Sequence, residues 1–127
     1  MATVRDIMNP KLLSLRDGDR ATLARRYILD FGVTAVPVLD ETHRPVGIVS
    51  LRDLEREGED VEAKGDVVCV KDTEEVSSAA RKLAETDFHP LVVVDDAGVA
   101  VGMVSSVDFV RALLGMAPRH PKAFDHT

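Results

Sequence analysis

The chain contains a second copy of itself. A shift of 55 residues carries Gly47 onto Gly102 and lays Asp17 to Arg56 over a later segment without a gap. Asp17 falls on Asp72, Ala24 on Ala79, Arg26 on Arg81, Val38 on Val93, Asp40 on Asp95 and Val46 on Val101. The closest match is between GIVSLRD, Gly47 to Asp53, and GMVSSVD, Gly102 to Asp108. A period of this length means that one supersecondary unit is used twice, each copy needing the other to cover its apolar face. With 127 residues in all, the two copies together have the size of one ordinary domain, roughly 100–150 residues.

Each copy reads strand, helix, strand, tight turn, strand, helix. Leu12 to Leu15 and Val67 to Val70 are apolar runs of strand length. Leu23, Ala24, Tyr27, Ile28 and Phe31 recur at helical spacing, as do Val76, Ala79, Ala80 and Leu83. Asp72 and Glu75 stand at capping-box spacing before the second of these helices. AVPVLD and LVVVDD are β-branched runs ending in polar turns, so each predicts a hairpin with the strand after it. A strand, a crossover helix and a second strand pair in parallel. The predicted class is therefore α/β (α+β), two tandem β-α-β-β-α repeats whose small mixed sheets pack in pseudo-twofold symmetry. The first repeat is placed at 1–57 and the second at 67–115. A charged, glycine-punctuated linker lies between them at 58–66, and a proline-containing tail without helical pattern, taken as mobile, follows at 116–127.

Composition narrows the function. The chain is 45% hydrophobic and 30% charged, as in a folded globular protein. Its net charge of −6 argues against nucleic acid and anionic membrane as partners. No apolar stretch reads as a signal or a membrane span, so a cytoplasmic address is expected. Cys69, the only cysteine, lies in an apolar strand and reads as a small core residue. The four histidines are scattered and no metal site is predicted. No nucleophile with a paired base and no phosphate-binding glycine loop is present, so an enzyme is not expected.

The repeated motif carries the chemistry that remains. An aspartate carboxylate accepts two hydrogen bonds from a vicinal diol, and a serine hydroxyl at a helix start suits an anionic oxygen. The glycine removes a side chain where a flat base or sugar would otherwise collide. Ser50 with Asp53, and Ser105 with Asp108, equally resemble a capping box with an acid in place of Glu or Gln. One helix start can serve both purposes.

VRDIMNP before the first strand, GVTAVPVLD, and the two Gly-apolar-apolar-Ser-x-x-Asp motifs together resemble the cystathionine-β-synthase (CBS) domain pair, from Val4 to Leu114. The resemblance implies a regulatory module that requires no cofactor and binds AMP, ADP, ATP or S-adenosylmethionine in clefts between its repeats. It makes Asp53 and Asp108 the ribose ligands and Ser50 and Ser105 the phosphate-side ligands. The base pocket falls to Val33, Thr34, Ala35 and Pro37 in one copy and Phe88, His89 and Pro90 in the other. Val92 replaces Pro37, and VEAKG stands where DIMNP would repeat, so the two sites are not equivalent. The resemblance further implies a homodimer, with Ala21, Leu54, Phe109, Leu113 and Leu114 as contributors, and a protein partner that the sequence does not name. The competing reading is an interaction protein that dimerises through its repeats without useful ligand binding.

Overall fold

The computed structural model describes residues 2–31, 35–50, 67–86 and 91–118. In chain order its elements are α1 (Val4–Ile7), β1 (Leu15–Arg16), α2 (Ala21–Phe31), β2 (Ala35–Leu39) and β3 (Pro45–Ser50). They continue with β4 (Cys69–Lys71), α3 (Val76–Ala84), β5 (Leu91–Val94), β6 (Ala100–Val104) and α4 (Ser106–Leu113). The strands form two mixed sheets, β1-β2-β3 and β4-β5-β6. In each, the central strand runs parallel to the strand before it and antiparallel to the strand after it.

The pattern of side chains explains this arrangement. Every residue of β2 and β5 is buried, as expected of central strands covered on both faces. Residues of β6 alternate between buried and half-buried, as expected of a strand with one face on the core. Ala24 and Ile28 of α2 pack with Leu15, Val36, Val38 and Val49, and Leu23 and Tyr27 lie against them. Ala79 and Leu83 of α3 pack with Val70, Leu91, Val93 and Val104. Burying each Leu, Ile or Val contributes about 1.5–3 kcal/mol.

The sequence repeat and the packing unit do not coincide. Residues up to Leu12 pack with those from Val68 onward, while Leu13 to Val67 make the other unit. Val4 and Ile7 of α1 are the reason, since both are buried in the core of α3, β4, β5 and β6. The Val4 and Arg5 amides donate to the carbonyls of Glu74 (2.9 Å) and Asp72 (3.0 Å).

Two sequence expectations change here. Asp72 does not start α3, because Glu75 is the N-cap residue. Asp72 is instead buried and pairs with Arg5, Nη2 to Oδ2 at 3.0 Å. Phe109, expected at a dimer surface, is 3% exposed and packs in the core of its own unit. Leu113 and Leu114 are exposed.

At the end of α4 the chain turns through Gly115, whose φ is +71°. The Met116 amide donates to the Arg111 carbonyl (2.9 Å) and the Gly115 amide to that of Ala112 (3.1 Å), the paired bonds of a Schellman termination.

Candidate functional site

Strand β6 delivers Ser105 to the start of α4. Ser105 is extended, with φ −114° and ψ 171°, and serves as the N-cap. Its amide donates to Asp108 Oδ2 at 2.8 Å and its hydroxyl donates to the same oxygen at 3.1 Å. The capping-box reading of this motif is therefore realised in the second copy. Asp108 is 3% exposed, so its carboxylate is held in one orientation below the surface at the helix start. An acceptor so oriented, beside a hydroxyl and the positive end of a helix, has the chemistry to meet a diol on one side and an anionic oxygen on the other.

In the second copy the glycine of the motif makes room for protein. A Cβ on Gly102 would lie 2.6 Å from the Asn9 carbonyl oxygen and 2.8 Å from Met8 Sδ. The space left by the missing side chain is filled by protein and not by a base or sugar. Asn9 and Met103 exchange both backbone hydrogen bonds, at 2.8 Å and 3.1 Å. The Asn9 side chain then accepts from the Lys11 amide at 3.0 Å, turning the chain away. Sequence reasoning did not connect DIMNP to the second motif. Two local signals were available: the Thr3-x-x-Asp6 capping box and the Asn9-Pro10 turn that bounds the segment.

In the first copy Ser50 closes β3 directly opposite Ala35 of β2, so two of the predicted site residues are cross-strand neighbours. Pro37 is opposite Ile48. Ala35 and Pro37 are both buried. Val33, Thr34, Asp53, Phe88, His89 and Pro90 lie outside the described residues, as do Leu54 and the 58–66 segment. Cys69 is half-buried on β4, and burial pushes its thiol above the ordinary range. Among the described residues no helix is long and apolar enough to cross a membrane, and no three His, Cys, Asp or Glu side chains are grouped to hold a metal ion.

This architecture has known counterparts. CBSX2, a CBS-pair protein of Arabidopsis thaliana, superposes in its complex with AMP at a TM-score of 0.80 and 30% identity, covering 91% of this chain and 98% of that one. The cytosolic domain of the Mg2+ channel MgtE in complex with ATP gives a TM-score of 0.72 at 28% identity, covering 84% of this chain and 46% of that one. Homoserine O-acetyltransferase of Methanohalophilus mahii is 30% identical over 120 residues, which are 89% of this chain. The chain spans only 24% of that protein's length. The model of the CBS domain matches residues 4–60 and again 58–115. The 55-residue repeat is thus a pair of CBS domains in tandem, and the chain belongs to that family.

Proposed function

We propose that the chain is a regulatory module that binds an adenine nucleotide at its Ser-x-x-Asp helix starts and is not itself an enzyme. One observation carries this reading: the Ser105–Asp108 pair is preorganised at the N-terminus of α4, in a fold whose relatives at 28–30% identity hold ATP and AMP. Asp108 is the ribose ligand and Ser105 the phosphate-side ligand, with Asp53 and Ser50 in the same roles in the first copy. AMP, ADP, ATP and S-adenosylmethionine are the ligand candidates. A diol that reaches Asp108 moves whatever now covers it, so binding repacks this helix start. That gives the ligand a means of favouring one conformation over another.

The output of the module is self-association or contact with a protein partner. Val107 and Val110 of α4 and Leu114 at its C-cap lie three and four residues apart and are exposed, next to exposed Leu113 and Met116. This apolar face suits a symmetric homodimer.

A thermal-shift panel of AMP, ADP, ATP and S-adenosylmethionine tests the reading, run on the wild-type chain and on Asp53→Ala and Asp108→Ala. At one hundred times its Kd a ligand stabilises by about 2.7 kcal/mol, which raises Tm by several degrees in a domain of this size. The shift should fall in at least one of the two variants. No shift with any ligand would favour the pure assembly reading, and a shift that survives both substitutions would remove Asp53 and Asp108 from the site.

A further inference from the structure

We propose that Thr3–Asn9 is a positioning strap for the ligand motif of the second repeat, with Arg5 and Asn9 as the residues that hold the Ser105–Asp108 helix start in its binding geometry. The proposal rests on the functional reading above and adds a regulatory element to it.

The strap is fixed at both ends. At its start the Val76 amide donates to the Ala2 carbonyl (3.2 Å), and the Val4 and Arg5 amides reach back to Glu74 and Asp72 (2.9 and 3.0 Å). The Arg5 guanidinium then closes on the buried Asp72 carboxylate at 3.0 Å. The carboxylate is buried while the guanidinium that meets it stays exposed, so Arg5 ties the strap to Asp72 from the surface. At its far end Asn9 is bonded twice to Met103.

Met103 is two residues before Ser105, so the strap is joined to the strand that aims the cap. Strand β6 reaches the helix start through Val104, which is fully buried and leaves little freedom between the two points. Gly102 lets the strap come this close, because any side chain there meets the Asn9 carbonyl. A displacement of residues 3–9 therefore moves β6 at the position from which Ser105 and Asp108 are presented.

The residue types of this device occur once in the sequence. The 55-residue shift sets Asp60 and Lys64 in the places of Arg5 and Asn9, and Asp17 in the place of Asp72. The Arg–Asp combination of the lock is therefore not repeated, and the proposal is made for the second motif alone.

The test uses the full chain and the variants Arg5→Ala, Arg5→Lys and Gly102→Ala. Amide hydrogen exchange is followed without ligand in peptides covering residues 2–9 and 103–109. AMP affinity is measured by calorimetry at a temperature where circular dichroism shows each variant folded. Arg5→Ala should speed exchange in both peptides and weaken AMP at least tenfold, and Arg5→Lys should restore both. Gly102→Ala should do the same more strongly; if it does not fold, the surface change at Arg5 decides alone. Faster exchange confined to residues 2–9, or an AMP Kd within twofold of wild type in Arg5→Ala, would overturn the strap. If the wild-type chain binds no AMP, the functional reading fails for that ligand. The exchange pattern then decides the strap alone: spread to 103–109 supports it and confinement to 2–9 overturns it.

Discussion

The two sheets share one topology and one register but differ in the length of a single ladder. β4 pairs three residues with β5, Cys69 with Val92, Val70 with Val93 and Lys71 with Val94. β1 pairs only two with β2, Leu15 with Val38 and Arg16 with Leu39. The missing rung falls at Pro37, the repeat partner of Val92. The Val92 amide donates to the Val68 carbonyl at 3.1 Å. Proline has no amide proton to give. A proline in a central strand is unusual, and here it falls where the neighbouring strand makes no pair. One residue type therefore sets where a parallel ladder stops, in two copies otherwise built on the same plan.

The comparison breaks most visibly when the two residues are exchanged. Val92→Pro removes the bond to the half-buried Val68 carbonyl and puts a ring into a strand whose residues are all buried. Stability measured by urea unfolding should fall by about 3 kcal/mol. Pro37→Val adds an amide for which Leu13 offers the matching carbonyl in sequence, and stability should change by less than about 1 kcal/mol. Equal losses in the two variants would mean that the proline does not explain the shorter ladder.

Much of this architecture was legible because its signals are local. The spacing of Ala24 with Ile28, and of Ala79 with Leu83, named the buried faces of α2 and α3, and the apolar runs AVPVL and LVVV named the central strands. The helix start at Ser105 and Asp108 was legible because it occurs twice. What escaped depends on contacts between distant residues. Asp72 has capping spacing to Glu75, yet the helix starts after Glu75 and the Asp72 carboxylate pairs with Arg5, 67 positions earlier in the chain. Gly102 was read as room for a ligand, when only the pairing of Asn9 with Met103 reveals what fills the space. Phe109 lies among apolar residues that run round α4, and spacing alone cannot say which of them faces inward.

The hairpin turns repeat the comparison on a smaller scale. In each, an aspartate amide is bonded to the carbonyl of the residue four later, Asp40 to Arg44 and Asp95 to Val99, both at 2.9 Å. The residue before the closing position has a positive φ, 63° at His43 and 83° at Gly98. A side chain in that conformation costs about 1–2 kcal/mol, offset in part by the greater freedom that glycine loses on folding. His43→Gly should therefore raise stability by about 0.5 kcal/mol, and Gly98→Ala should lower it by about 1 kcal/mol. If thermal unfolding shows His43→Gly to be destabilising, the histidine makes contacts that outweigh its backbone strain.

The smallest predicted effect separates the same turns by one hydroxyl. Thr42 donates to Asp40 Oδ1 from its hydroxyl at 2.6 Å and from its amide at 2.8 Å. Its repeat partner, Ala97, offers Asp95 only an amide, at 2.9 Å. The Thr42 hydroxyl, followed by the Arg44 amide, holds the Asp40 carboxyl below its ordinary value of 3.8. A carboxylate whose pKa is lower in the folded than in the unfolded chain contributes stability above the unfolded value. That contribution is lost as pH falls through the folded one. Thr42→Ala should therefore move the Asp40 titration upward, toward the ordinary value, and remove part of the stability gained between the two pKa values. The turn is exposed, so the loss is small and is best read from the Asp40 side-chain resonances in an NMR titration. An Asp40 midpoint that stays in place in Thr42→Ala would transfer the effect to the Arg44 amide, which Val99 matches in the second turn at 3.0 Å.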